Sequence, residues 1–255
     1  MALLLTVTHR WSAFRAIWND RRRVGFLALA AIVITINWGT FIYGVTHDKV
    51  IETSLGYFIN PLVTVLLGVI VLRERLRRVQ WVAIGIAAVA VIGLTIDYGQ
   101  PPWVAFLLAG SFGTYGLMKK KAGVDAVESL TFETLVLTPI AFGYLLFLSA
   151  QGTANFTGHG VEHSLLLAST GLVTAIPLLC FGAAAIRVSL TTIGLLQYLA
   201  PTIQFVLGIL VFDEVMTPVK WFGFSLVWLA LAIFTTEAVR HRSRQLRLAA
   251  EASAL

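Results

Sequence analysis

Cysteine is almost absent from this chain. Cys180 stands alone inside an apolar run, so neither a disulfide framework nor a paired-thiolate metal site is available. Charge is scarce as well: 13% of the 255 residues are charged and 58% are hydrophobic, outside the range of soluble globular domains. No G-x-x-x-x-G-K-[ST] loop occurs, which disfavours ATP-driven work by this chain alone. No cofactor or metal is expected. The opening MALLLTVT lacks a basic leader and a small-residue cleavage site, so it does not read as a signal peptide.

What is abundant is long apolar sequence. Candidate membrane spans are Val24–Val45, Thr53–Leu72, Trp81–Ile96, Trp103–Met118, Ser129–Ala150, Leu165–Ile186, Thr191–Phe212 and Trp221–Val239. A bilayer core needs about 20 apolar residues per helix, so Trp81–Ile96 and Trp103–Met118 depend on their interfacial flanks. Of the 19 Lys and Arg, all but Lys49 and Lys220 fall on alternate loops or at the termini. The positive-inside rule then places both termini in the cytoplasm. This asymmetry accounts for the net charge of +6, and no nucleic-acid partner is needed. The basic, aromatic segment Trp11–Arg23 suits a cytoplasmic interface.

An internal repeat organises the chain. Superposing Pro61 on Pro201, an offset of about 140 residues, also pairs Val33 with Val173, Ile36 with Ile176, Gly68 with Gly208, Glu74 with Glu214 and Trp81 with Trp221 without a gap. The second copy spans five helices. The first shows three plus a stub, so about forty further residues are expected upstream of Met1. A five-helix unit is odd in number, so its second copy enters the membrane from the opposite side. The expected fold is therefore all-α and polytopic: an N-terminally truncated inverted-topology repeat with about eight transmembrane helices. Residues 1–100 form the incomplete first repeat, 101–239 the second, and 240–255 a basic cytoplasmic tail.

Polar residues inside the spans mark the candidate site. Tyr57, Pro61, Thr64 and Gly68 share one helical face, and Gln197, Pro201, Gln204 and Gly208 repeat it. Proline frees a backbone carbonyl that protein or cavity water must satisfy in lipid. Matched proline-interrupted helices point to a midplane solute site, although two kinked packing helices with Gly68 and Gly208 as contact points would look the same. The Tyr57 and Gln197 faces are expected to meet across the pseudo-twofold axis. Asn37–Trp38–Gly39 and its repeat partner Pro177 are expected to interrupt their helices at one depth, with Asn37 either lining a cavity or bonding a neighbouring helix. Glu133 is an ionisable residue inside a span, hence a functional candidate, with snorkelling to the interface as its alternative. Glu74 and Glu214 are expected to cap the helices that follow them, with a coupling role as the alternative.

Three motifs are discounted. Gly110, Gly113 and Gly116 follow no strand and read as helix packing. Asn155–Phe156–Thr157 is a glycosylation sequon, relevant only in a glycosylating pathway. His159–Gly160–Val161–Glu162–His163 matches H-x-x-E-H but is interrupted by glycine in a short loop, a poor setting for zinc.

The runs NWGTFIYGV, IETSLGYFINPLVTVLLGVIVLRERLRRVQW, GTYGLMKKKAGV and GLVTAIPLLCFGAAAIRVSLTTIGLLQYLAPTIQF closely resemble the RarD-type permeases, in the EamA branch of the drug/metabolite transporter superfamily. The resemblance covers nearly the whole chain except the tail. It implies an inner-membrane permease built from two five-helix EamA units, with the SLGYFINP and LLQYLAP positions at a central cavity.

The combined reading is a secondary active permease, not an enzyme, working by alternating access in the lipid bilayer on a small organic solute. Asn37, Tyr57, Asn60, Thr64, Glu133, Gln197, Tyr198 and Gln204 are its candidate binding residues. Pro61, Pro177, Pro201, Gly68 and Gly208 shape the helices, and Glu133 would bind a cationic group or carry a coupling proton. A membrane sensor or scaffold would not need duplicated polar–proline faces, and an intramembrane enzyme would need clustered acids or histidines. Single-cysteine labelling in a Cys180→Ala background is expected to find Lys120 and Arg242 on one side and Tyr98 and Thr157 on the other. Labelling of positions 120 and 157 from the same side would overturn the helix count.

Overall fold

The computed structural model describes residues 1–153, 156, 160–212 and 217–252, and every regular element among them is a helix. In chain order these are α1 (Ala2–Val7), α2 (Trp11–Ile17), α3 (Arg21–Thr46), α4 (Val50–Leu72), α5 (Arg78–Tyr98), α6 (Trp103–Ala122), α7 (Ala126–Ala150), α8 (Val161–Arg187), α9 (Leu190–Leu196), α10 (Leu199–Phe212) and α11 (Pro218–Ala252). With no water in a bilayer core, the intrahelical ladder is what satisfies the backbone of such apolar runs.

Among the described residues six helices are long and apolar enough to cross a membrane: α3, α4, α5, α7, α8 and residues 221–241 of α11. The chain is thus a multi-pass membrane protein. The other two expected spans differ from the sequence reading. Trp103–Ala122 continues through Lys119–Lys121 in its last turn, so these lysines belong to the helix and do not follow it. The span expected over Thr191–Phe212 is broken at Gln197 and Tyr198 into α9 and α10. The basic segment after Val239 continues α11 without a break to Ala252.

The proline expectations divide. Pro201 lies just after the break, where its ring would collide with the Gln197 carbonyl of a regular helix. The chain tightens there: Tyr198 N–H bonds Leu195 O and Ala200 N–H takes up Gln197 O, bonds to the third residue back, not the fourth. Pro61 instead sits inside an unbroken α4. Residues 37–39 and Pro177 likewise lie inside unbroken α3 and α8, so no interruption is shared at that depth.

The helices form two compact units. One comprises residues 1–36 and 114–189, the other residues 37–113 and 190–255. In the first, Leu5, Phe14 and Ile17 of α1 and α2 are buried with Leu27, Ala122, Val124 and Phe132, and Trp18 packs on Phe132 at 5.0 Å. Arg10, outside the spans, bonds Asp125 at 2.8 Å and Glu128 at 3.0 Å. These hydrogen bonds, Asp125 first, hold its guanidinium pKa above the ordinary value.

In the second unit α5 packs on α11 and α4 on α9. The α5 face is built from small residues, Ala83, Ala87 and Ala90, set against Gly223, Val227 and Ala230 of α11. In lipid, where apolar burial brings little gain, small residues allow the close contact that dispersion needs. Gly194 does the same for α9: a Cβ there would sit 2.8 Å from the Pro61 carbonyl oxygen and 2.9 Å from Val65. Gly113 fits the packing reading too, since a Cβ would lie 3.1 Å from Val63.

Glu74 caps a helix, but not the one that follows it. Its carboxylate accepts the backbone N–H groups of Leu190 at 2.7 Å and Thr191 at 2.9 Å, and the Thr191 hydroxyl at 2.6 Å. It therefore closes the N-terminus of α9. Gly68 makes room for it, as a Cβ would lie 2.9 Å from Glu74 Oε2. At the α5 N-terminus the side-chain oxygen of Gln80 accepts the Arg77 N–H at 2.9 Å. Glu214 lies outside the described residues.

Glu74→Ala is expected to lower stability by about 1–3 kcal/mol, the range for charge-assisted bonds and stranded donors, with Glu74→Gln recovering part. Thermal melting in detergent checks this, and an unchanged midpoint in the alanine variant would reject the cap.

Candidate functional site: a polar cluster at the broken helix

Three of the expected site residues meet where α9 ends against α4. Gln197 Oε1 accepts hydrogen bonds from Asn60 Nδ2 and from the Thr64 hydroxyl, each at 3.3 Å. Thr64 also lies 3.4 Å from Asn60 Oδ1. Asn60 and Thr64 are one helical turn apart and both are buried, so α4 presents them as a pair. Gly194, one turn before Gln197, permits the close approach that brings the glutamine within reach.

With its oxygen engaged twice, Gln197 is left with its amide nitrogen. Gln197 Nε2 and the Tyr198 hydroxyl are buried without a hydrogen-bond partner among the described residues. Tyr198 is fully buried. An orphaned buried donor costs about 1–3 kcal/mol, and such groups in a native protein call for an explanation. These two are adjacent in sequence and sit at the break between α9 and α10, where the regular helix is lost.

The other expected residues are placed differently. Tyr57 is half-exposed, its ring edge-on to Phe41 at 6.4 Å. Gln197 thus finds Asn60 and Thr64, not its repeat partner. Asn37 donates to the Leu108 carbonyl and to the Ser111 hydroxyl oxygen, both at 2.9 Å, the helix-bonding alternative for that residue. Pro61 and Pro201 are buried, whereas Pro177 is exposed. Gln204 and Gly208 lie on α10, but the Gln204 side chain and the surroundings of Gly208 lie outside the described residues. The sequon residues Asn155 and Thr157, and His159 of the H-x-x-E-H match, lie outside them too. Among the described residues no group of three His, Cys, Asp or Glu could hold a metal ion.

Glu133 belongs to a second cluster, in the other unit. Lys119 Nζ donates to Glu133 Oε1 at 2.6 Å, and both side chains are 2% exposed. The Tyr115 hydroxyl donates to Glu133 Oε2 at 3.1 Å and the Ser129 hydroxyl to Oε1 at 2.9 Å. Lys119 also bonds Ser129 and lies 5.4 Å from the centre of the Tyr115 ring. The carboxylate does not snorkel, because its cation is supplied by the chain. Sequence reasoning missed Lys119, counting it as a loop charge. The signal was in the spacing: Tyr115 and Lys119, like Ser129 and Glu133, stand four apart on one helix face.

Glu52 was also missed. It is 1% exposed and accepts Val104 N–H at 2.8 Å, the Tyr98 hydroxyl at 3.4 Å and Lys49 at 3.3 Å. It caps the N-terminus of α6.

Removing one member of a buried ion pair costs about 3–5 kcal/mol, whereas replacing both by apolar residues is often neutral. Glu133→Leu is therefore expected to destabilise strongly, and Lys119→Met combined with Glu133→Leu to recover most of the loss. Additive losses in chemical denaturation would show that the two residues are not coupled.

Residues 1–96 match the EamA-like transporter family. The chain is 56% identical to Protein RarD of Streptomyces exfoliatus, over 100% of this chain and 80% of that protein. It is 43% identical to the Uncharacterized transporter YojE of Bacillus subtilis (strain 168), covering 94% of this chain and 81% of the relative. A solved crystal structure with 16% identity matches 85% of this chain and 88% of its own at a TM-score of 0.55, a likeness of fold. With whole-chain identity at this level, the chain belongs to the RarD-type permeases, EamA-type membrane transporters of the drug/metabolite transporter superfamily.

Proposed function

We propose that this transporter is a secondary active permease that holds a small organic solute where α9 breaks against α4. The observation that carries the reading is the pair of orphaned buried groups, Gln197 Nε2 and the Tyr198 hydroxyl. A Gln197 amide held in place by Asn60 and Thr64, beside the Tyr198 hydroxyl and with no formal charge among the four residues, suits a solute that presents an uncharged hydrogen-bond acceptor. Tyr57, Asn37 and Gln204 are the further candidate contacts, and Pro61 and Pro201 shape the two helices.

The working cycle is alternating access between two inverted EamA repeats, residues 1–100 and 101–239. Its support is the gapless offset together with the burial of repeat-related positions on α5 and α11, such as Ala87 with Val227 and Ala90 with Ala230. Glu133 is the candidate coupling carboxylate: a proton taken there would release Lys119. No catalytic role is assigned to any residue. The proposed location is the cell membrane, with the C-terminus in the cytoplasm.

A thermal-shift screen of metabolites and drugs against the purified chain would identify a solute, and variants then test the site. Gln197→Leu and Tyr198→Phe are both expected to insert normally. Tyr198→Phe should melt at or above the unaltered midpoint, since it deletes a stranded hydroxyl, whereas Gln197→Leu should melt somewhat lower, since it also strands Asn60 Nδ2. Each should weaken solute binding by about 1–3 kcal/mol, because a paired donor is lost. Variants with unaltered affinity would remove the site from this cluster.

A further inference from the structure

At the far end of the α5–α11 packing lies a cleft of about 540 Å³. Val79, Ala232 and Ile233 make its apolar wall, and Thr236, Glu237, Arg240 and His241 its polar part. On α11, seven residues separate Ile233 from Arg240, a climb of about 10 Å at 1.5 Å per residue. The apolar membrane-length stretch ends at His241, and α5 begins at Arg78. The cleft therefore straddles the border between hydrocarbon and headgroup depth, with its greasy part toward the hydrocarbon.

Its charges have a specific incompleteness. Arg77 bonds Glu237 Oε1, while Glu237 Oε2 is buried without a hydrogen-bond partner among the described residues. A buried carboxylate oxygen without a donor is costly, so it calls for an N–H or O–H donor from outside. Arg240, one turn further along α11, is exposed and makes no ion pair among the described residues. A cation with no ion pair among the described residues, beside a carboxylate oxygen that lacks a donor, matches a molecule carrying both an ammonium and a phosphate.

We propose that this cleft binds one phosphatidylethanolamine molecule. Its ammonium would donate to Glu237 Oε2, its phosphate would face Arg240, and an acyl chain would lie along Val79, Ala232 and Ile233. Phosphatidylcholine offers the same phosphate but no N–H donor, and phosphatidylglycerol has no cation. The inference does not rest on the solute site.

The test uses the full chain in nanodiscs of phosphatidylcholine containing a minor, equal share of phosphatidylethanolamine and phosphatidylglycerol, read by native mass spectrometry of retained lipid. The unaltered chain is expected to retain phosphatidylethanolamine severalfold over the other two. Arg240→Gln is expected to weaken retention of all three by about fivefold, the scale of one basic residue at a membrane surface. Glu237→Gln is expected to abolish the preference over phosphatidylcholine. Because that variant also strands Arg77, Ala232→Phe serves as the second variant: it narrows the cleft, leaves the Arg77–Glu237 pair in place and is expected to abolish retention. Equal retention of the three lipids, preference for phosphatidylglycerol, or an ethanolamine preference that survives in both cleft variants would overturn the proposal.

Discussion

A backbone N–H that is neither bonded nor wetted is costly in a membrane, and two carboxylates at the ends of α4 meet that demand for other helices. Glu52, in its first turn, closes the N-terminus of α6, and Glu74, just past its end, closes that of α9. Each places a negative charge at the positive end of a helix dipole. Each also fixes where a sequence-distant helix begins along α4. The position of Gln197 follows: α9 starts at Glu74, crosses Pro61 at Gly194, and ends where the glutamine reaches Asn60 and Thr64.

The clustered polar groups fall into two chemical kinds. The Lys119–Glu133 cluster satisfies its own charges, since Tyr115 and Ser129 complete the carboxylate. The Gln197–Tyr198 cluster is uncharged and leaves two donors unused. The closed ionic group ties α6 to α7. An open neutral one has capacity left for something that arrives from outside.

Most of the fold was legible because apolar run length and charge placement are local signals. Each expected span corresponds to a helix or helix pair, and Asn60, Thr64, Gln197 and Tyr198 stand out as polar residues within apolar runs. What sequence did not reveal were the partners. Glu74 was assigned to the nearest following helix because capping rules are written for neighbours in the chain, whereas its N–H donors come from Leu190 and Thr191. Lys119 was placed in a loop because three successive lysines look like an interface, yet one of them turns into the fold. Interruption by proline is expected at both Pro61 and Pro201, yet only the second helix breaks. Proline is present in both copies, so the residue alone does not decide whether a helix yields.

Among the long helices, α8 is the outlier. Only Gly182 and Ala185 of its 27 residues are buried, and its N-terminal half carries exposed Leu165, Leu166, Leu172 and Val173. In water such a surface would drive collapse. In a bilayer, lipid chains are as good a neighbour as leucine, so swapping one for the other is close to neutral. Within the protein the helix packs on α7 and approaches Lys119 around Gly182, where a Cβ would lie 3.2 Å from Lys119 Cε. Its outer half thus gives most of its surface to lipid chains, which supply the packing that the protein itself does not.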